Sequence, residues 1–374
     1  MLRLRRIGSN LHYACTAALA ILAVPLIVHL HLPLHLNLGR MITFYWVGLG
    51  SKSIFRSLIF VLLAFPLRQT IGPFWARWRK QPLRILLAAF FLASLSYAVQ
   101  FYVALLLTID ALFVLELVER ARTEGESPRG KLAGVFAAAA YLFVGISLVL
   151  VYNDIIIASR LPVSYDNSLN QIEMHLLHGG SVSGIAHTMF RVLPPQVLRF
   201  LDFAYFQMFL VVGGAFLVCS YYSLRLGLQF AGTCLTAYYL ALLIFFIWPT
   251  YGPYFFCADH LARYPQYLTT YQFHKAGIAA LAAMAEHRTQ TLASGYYIAF
   301  PSLHIALPGI AMWYLRRWRP VFWLLLAYNA VIAMAIVVLE WHYMLDLPGG
   351  IAVGTLALAI AGGAPTEPER GRGF

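Results

Sequence analysis

The sequence predicts an all-α fold, a polytopic transmembrane helical bundle of about ten helices. Two observations carry that prediction. The 374-residue chain is 61% hydrophobic and only 11% charged, with a mean hydropathy of +0.72, a composition outside the range of soluble domains. Its apolar runs are also long enough to cross a bilayer, which takes roughly 20 residues in a helix. The formal charge of +12 does not point to nucleic acid. The positive residues fall in short clusters between the apolar runs, where they mark cytoplasmic loops. Cys15, Cys219, Cys234 and Cys257 are dispersed, with neither metal-ligand spacing nor a disulfide framework.

Taken in order, the basic start Met1–Arg6 leads into a first helix at about 11–33, too long for the apolar core of a cleavable signal. A second helix is expected at about 43–66, followed by a cytoplasmic loop carrying Arg68, Arg77, Arg79, Lys80 and Arg84. The run from Ile85 to Val118 is too long for one span. The next basic loop, Glu119–Lys131, belongs on the same side, so two short helices fit between the loops. A helix at about 132–156 crosses outward into a polar loop, 157–198, and helices at about 199–223 and 227–248 follow. A Pro/Gly-punctuated turn, Trp248–Tyr254, opens a second outward segment to Tyr297, in which 275–288 reads as an interfacial amphipathic helix. The last helices are expected at about 300–315, 320–339 and 342–362, with Arg316, Arg317 and Arg319 between the first two. Residues 1–131 thus read as accessory helices, 132–362 as the membrane core and 363–374 as a polar tail. With the N-terminus inside, both outward polar segments and the starts of the helices at 300 and 342 share the outer face.

The chemistry-bearing residues gather at those two helix starts: Phe300-Pro301-Ser302-Leu303-His304, and Glu340-Trp341-His342-Tyr343-Met344-Leu345-Asp346. Pro301 suits the first turn of a helix, which places Ser302 and His304 at its mouth. His342 and Asp346, four apart at the start of the last helix, share one face about a turn apart. The carboxylate can accept the imidazole N–H and fix its tautomer, leaving the other ring nitrogen to attack or to take a proton. Each residue also has a plainer reading. His342 and Asp346 suit a helix-capping pair, Ser302 a backbone-bonding hydroxyl, His304 an interfacial histidine, and Asp166 and Glu173 solvated loop acids. His175, His178 and His187 lack acidic or Cys partners at ligand spacing, so no metal site is expected.

Phe300–His304 followed by His342-Tyr343-Met344-Leu345-Asp346-Leu347-Pro348-Gly349-Gly350 resembles the second and third motifs of the type 2 phosphatidic acid phosphatase superfamily. The Leu within Pro-Ser-Leu-His, the stretch Asp166–Gly180 and the turn Pro249–Pro253 are similar to its inositolphosphotransferase-like branch, which includes inositol phosphorylceramide synthase. The resemblance spans about 132–362 and implies a six-helix phosphatase-like core. It further implies that His342 attacks a lipid phosphate to form a phosphohistidine, oriented by Asp346. His304 would be the acid and then the base, and Ser302 a donor to a phosphoryl oxygen. Members work without a metal or other cofactor. The implied partners are a phospholipid or other lipid phosphate in the membrane, and an inositol or sugar alcohol as acceptor. The implied setting is a bacterial inner (plasma) membrane, with the site facing the periplasm or exterior.

The chain departs from the family pattern in two places. It has no Lys-x6-Arg-Pro, and Ile336 stands six residues before His342 where many members carry Arg. A phosphoryl group in a low-dielectric site needs cations. Arg160, Arg191, Arg263, Lys275 and Arg288 are on the expected outer face, with His260 and His274 as weaker candidates. Arg263 and Lys275, which follow the Pro249–Pro253 turn, are the favoured substrate-binding pair, with Asp166 as a headgroup candidate. Two outcomes share these residues: transfer to an alcohol, or hydrolysis by water. A reading of another class, a lipid carrier with a non-catalytic site, would place ionisable groups along a midplane pathway. Here they gather at one face, and no inverted repeat is apparent.

Overall fold

The computed structural model describes residues 11–22, 127–161, 163–256, 260–285 and 298–361. Among the described residues the chain is all-helical, with no strand. The expected helices at 43–66 and within 85–118, the tail 363–374, and Arg288 lie outside them.

Three described helices are long and apolar enough to cross a membrane, and a bent pair adds a fourth span. The chain is an integral membrane protein. Helix α1 is Leu11–Leu22. Helix α2, Pro128–Arg160, starts where the Ser127 side chain accepts the Gly130 N–H at 3.3 Å and Pro128 fills the first turn.

The expected polar loop 157–198 is instead largely folded, into α3 (Asp166–Leu176) and α4 (Val182–Val192). On α3, Asp166, Leu169 and Glu173 are buried on one side, which gives the segment the amphipathic pattern of a helix. Ser181 caps α4 by accepting the Gly184 N–H at 3.1 Å.

The single span expected at 199–223 is two helices, α5 (Pro195–Phe206) and α6 (Met208–Tyr222), bent by 45°. The break has a local cause. The Gln207 side chain donates to the Phe203 carbonyl at 3.0 Å, while its backbone N–H turns to Ala204 at 3.1 Å. Helix α7, Leu224–Ile247, comes next. The short α8 (Pro253–Phe256) and α9 (His260–Arg263) and the longer α10 (Thr269–Ala285) follow the Pro249–Pro253 turn. The chain ends with α11 (Leu303–Leu315), α12 (Arg319–Val338) and α13 (Asp346–Ile360).

Helix α7 is central and packs on α2, α6, α11 and α13, while α11 packs on α6, α12 and α13. Small residues bring α13 close to α11. A Cβ on Gly350 would run into the Ser302 carbonyl oxygen, and one on Gly354 would lie 3.3 Å from the Ala306 backbone. Helices α11 and α13 have 13 and 15 residues, about 20 Å each, short of a bilayer's roughly 30 Å. The irregular segments that precede them therefore need protein partners for their backbone groups.

Helix α1 joins the core by polar contacts. The Thr16 hydroxyl donates to the His12 carbonyl at 2.7 Å and lies 2.6 Å from the Tyr239 hydroxyl and 3.2 Å from that of Tyr141. His12 Nδ1 is 2.7 Å from the same Tyr141 hydroxyl. Hydrogen bonds between membrane helices average about 0.6 kcal/mol. Thr16→Val, which keeps the shape and loses these bonds, is expected to destabilise the chain by about 1 kcal/mol. Thermal unfolding in detergent measures it.

Candidate active site

Helix α12 ends in a turn that sets out the next residues. The Glu340 N–H donates to the Val337 carbonyl at 3.1 Å and the Trp341 N–H to that of Ile336 at 3.0 Å. This is the pattern of a Schellman cap, with Glu340 at φ 53° where glycine is usual. Ile336 is fully buried, and its carbonyl also accepts the His342 N–H at 3.1 Å. The position six residues before His342 thus contributes its backbone to the placement of that histidine.

His342 does not lie on the last helix, as its spacing to Asp346 suggests. It stands in the turn before α13, which begins at Asp346. The two still meet, because Asp346 reaches back from the first turn. His342 Nδ1 lies 3.0 Å from Asp346 Oδ2 and 2.8 Å from the Ala299 carbonyl. Both partners are acceptors, so the network assigns the proton to Nδ1 and the lone pair of the neutral ring to Nε2. Asp346 Oδ2 also accepts the Tyr343 N–H at 3.0 Å.

Nε2 faces the Ser302 hydroxyl at 3.4 Å. Pro301 is not in the first turn of α11. It follows Phe300 across a cis peptide bond and precedes Ser302, the cap residue. Ser302 makes no side-chain cap bond to the helix, so its hydroxyl is available to the site. The backbone joins the two motifs as well, with the Ser302 N–H on the Asp346 carbonyl at 3.3 Å.

His304, on the first turn of α11, faces His342 with ring centroids 5.7 Å apart at 63°. On its other side it stacks on Tyr205 at 4.1 Å and 17°. Tyr205 in turn stacks on Trp341 at 4.8 Å and 9°. The Trp341 indole donates to the Thr270 hydroxyl at 3.1 Å. Asp202 anchors that end by accepting the Thr269 N–H at 2.8 Å, the Thr270 N–H at 2.9 Å and the Thr270 hydroxyl at 2.6 Å. An aromatic ladder therefore runs from the first turn of α10 to His304. Beside Trp341, His274 stacks on Tyr254 at 4.1 Å.

The structure thus gathers His342, Asp346, Ser302 and His304. It places the other expected residues differently. Asp166 is fully buried and its carboxylate is taken up inside the protein. It accepts the Tyr251 N–H at 2.9 Å, the Gly252 N–H at 2.8 Å, the Tyr343 hydroxyl at 3.1 Å and the Ser164 hydroxyl. Burial pushes its pKa up, against the pull of these bonds. In the structure it fastens the Tyr251–Gly252 turn to Tyr343. Gly252 is required at that turn, since its φ is +107° and a Cβ would sit 2.8 Å from the Trp341 carbonyl oxygen. Arg263 on α9 and Lys275 on α10 are both exposed.

Tyr205, Asp202 and Thr270 were not expected from the sequence. Asp202 carried a usable signal, because an acid within an apolar span is costly and marks a site. Among the described residues, no cluster of three or more His, Cys, Asp or Glu side chains could hold a metal ion.

Residues 177–360 match a family model described as PAP2 superfamily. No curated protein and no solved structure matches the chain significantly.

Proposed function

Proceeding from the match of residues 177–360 to the PAP2 superfamily, we propose that this membrane protein removes or transfers a lipid-linked phosphate through His342. The observation that carries the reading is the pinned imidazole: Nδ1–H held by Asp346 at 3.0 Å, with Nε2 presented beside Ser302.

In the first half-reaction the Nε2 lone pair forms a bond to phosphorus as the bond to the lipid oxygen breaks. His304, taking up a proton when the negative phosphate binds beside it, gives that proton to the leaving oxygen. The Ser302 hydroxyl then turns from Nε2 to a phosphoryl oxygen. Asp346 balances the positive ring of the phosphohistidine. In the second half-reaction an acceptor hydroxyl loses its proton to His304 and attacks phosphorus, and the N–P bond breaks. No step in this scheme calls on a metal. Arg263 and Lys275 remain the proposed cations for the phosphate, and the outer membrane face remains the proposed side.

The acceptor is water or an alcohol such as inositol. The polar loop that favoured an alcohol is weaker support now, since Asp166 and Glu173 both turn inward. The test is a panel of lipid phosphates and diphosphates given to the purified protein, with and without inositol, beside His342→Gln. Free phosphate lost in the variant supports hydrolysis. A new headgroup seen only with inositol supports transfer. Turnover surviving in His342→Gln would overturn the mechanism.

The aromatic ladder makes a second prediction. A stacked aromatic pair contributes about 0.5–1.5 kcal/mol. If that energy orients His304, Tyr205→Leu lowers kcat by about 3- to 12-fold. Tyr205→Phe keeps the ring and is expected to stay near wild type. Steady-state kinetics on the same lipid substrate compares them.

A further inference from the structure

Four buried carboxylates surround the site, and each accepts one or more backbone N–H groups of a turn or of the first residues of a helix. Asp202 holds Thr269 and Thr270, Asp166 holds Tyr251 and Gly252, and Asp346 holds Tyr343. The fourth is Glu173, on α3, and the scheme above gives it no role. Its Oε1 accepts the Leu345 N–H at 3.1 Å. Only 1% of the residue is exposed, and its Oε2 has no hydrogen-bond partner.

We propose that Glu173 is a positioning residue: it clasps the backbone at Leu345 and thereby fixes the reach of His342 toward the phosphate. This rests on the reading of His342 as the nucleophile. Within the turn between His342 and Asp346 the backbone bonds are the Asp346 N–H on Tyr343 and the Leu347 N–H on Met344, and the Asp346 carboxylate holds the Tyr343 N–H and the His342 ring. Helix α3 supplies the rest from one face. Asp166 and Glu173 are seven residues apart, two turns or about 10 Å along the helix. Asp166 accepts the Tyr343 hydroxyl while Glu173 accepts the Leu345 N–H.

A glutamate suits this clasp because it reaches across from a neighbouring helix and offers an acceptor to a donor that the turn leaves unmet. Desolvation pushes its carboxyl up to about 7, and the nearby Asp346 charge adds to the rise. The neutral acid keeps a carbonyl oxygen for the Leu345 N–H. Glutamine reproduces that acceptor, and methionine, of similar length, does not.

The test uses the full chain in detergent with a lipid phosphate substrate. Glu173→Gln is expected to keep kcat within about threefold of wild type. Glu173→Met is expected to lose about 10- to 100-fold in kcat, with KM changed by less than about threefold, because a small misplacement of a nucleophile is felt in the chemical step. Hydrogen exchange of the peptide covering 343–346 gives a second readout. Exchange should be slow in wild type and Glu173→Gln, and at least about tenfold faster in Glu173→Met. Wild-type kcat and unchanged protection in Glu173→Met would overturn the proposal. If that variant does not fold, rapid exchange of 343–346 in the wild type would overturn it, and slow exchange retained in Glu173→Gln would support it. Turnover that survives in His342→Gln counts instead against the nucleophile assignment.

Discussion

His342→Gln is expected to lower turnover by at least about 10³-fold and to abolish phosphoryl labelling of the protein. Glutamine is the informative replacement. Alanine would leave Asp346 as a buried carboxylate without its ring partner, and breaking such a pair costs about 3–5 kcal/mol. A Gln amide N–H is placed to donate to Asp346 Oδ2, as Nδ1–H does now at 3.0 Å. What it lacks is a nitrogen lone pair for phosphorus. Loss of activity with an unchanged unfolding temperature therefore reports on chemistry alone. In the wild type, brief incubation with a labelled lipid phosphate should leave label on the protein that acid removes and base does not, as for a phosphorus–nitrogen bond. Label persisting in the variant would move the nucleophile elsewhere.

Gly350→Val is expected to inactivate the protein by about 100-fold or more without touching a reacting group. A Cβ there would overlap the Ser302 carbonyl oxygen and lie 2.9 Å from Ile305 Cβ. Neither neighbour gives way easily, since one is backbone and the other sits in the first turn of α11. Helix α13 must move away from α11, and His342 and Asp346 move with its start relative to Ser302 and His304. A misplacement of about 1 Å is enough for a loss of this size. Overpacking itself costs about 1–3 kcal/mol, so thermal stability should fall as well. Gly213 on α6 is the control. Nothing lies within 4 Å of a Cβ built there, and Gly213→Ala is expected to leave activity unchanged. Equal activity in both variants would refute the close approach of α11 and α13.

Much of the site was legible because its residue types are rare in such a chain. Serine, two histidines and an aspartate at two apolar helix starts stand out where only 11% of residues are charged. The His342–Asp346 contact was readable from its spacing of four, although the reason given, a shared helix face, was not the one that operates. A turn that doubles back places the pair together just as a helix would. Ser302 illustrates the opposite case. Its composition suits a capping hydroxyl, and only the position of His342 across the site shows what it faces.

Asp166 and Glu173 misled for a physical reason. In an outward polar stretch, an acid reads as solvated or as a substrate ligand. Once the stretch folds as α3 and turns that face inward, both carboxylates become acceptors for backbone that no helix satisfies. Tyr205 gave no local signal at all, because an aromatic residue in an apolar span is indistinguishable from its neighbours until the stack on His304 and Trp341 exists.

By itself, the sequence determined the class of protein and singled out the proposed reacting groups: apolar runs long enough to span a bilayer, and Ser302, His304, His342 and Asp346 in two short motifs. These depend on composition and short spacing, which the linear chain carries. Only the tertiary structure decided which Nε2 faces which hydroxyl, which carboxylates serve as fasteners, and how glycines let α13 approach α11. Those facts arise from contacts between residues 40 to 180 positions apart, such as Ser302 with His342 and Asp166 with Tyr343, and no local pattern encodes the meeting of such distant partners.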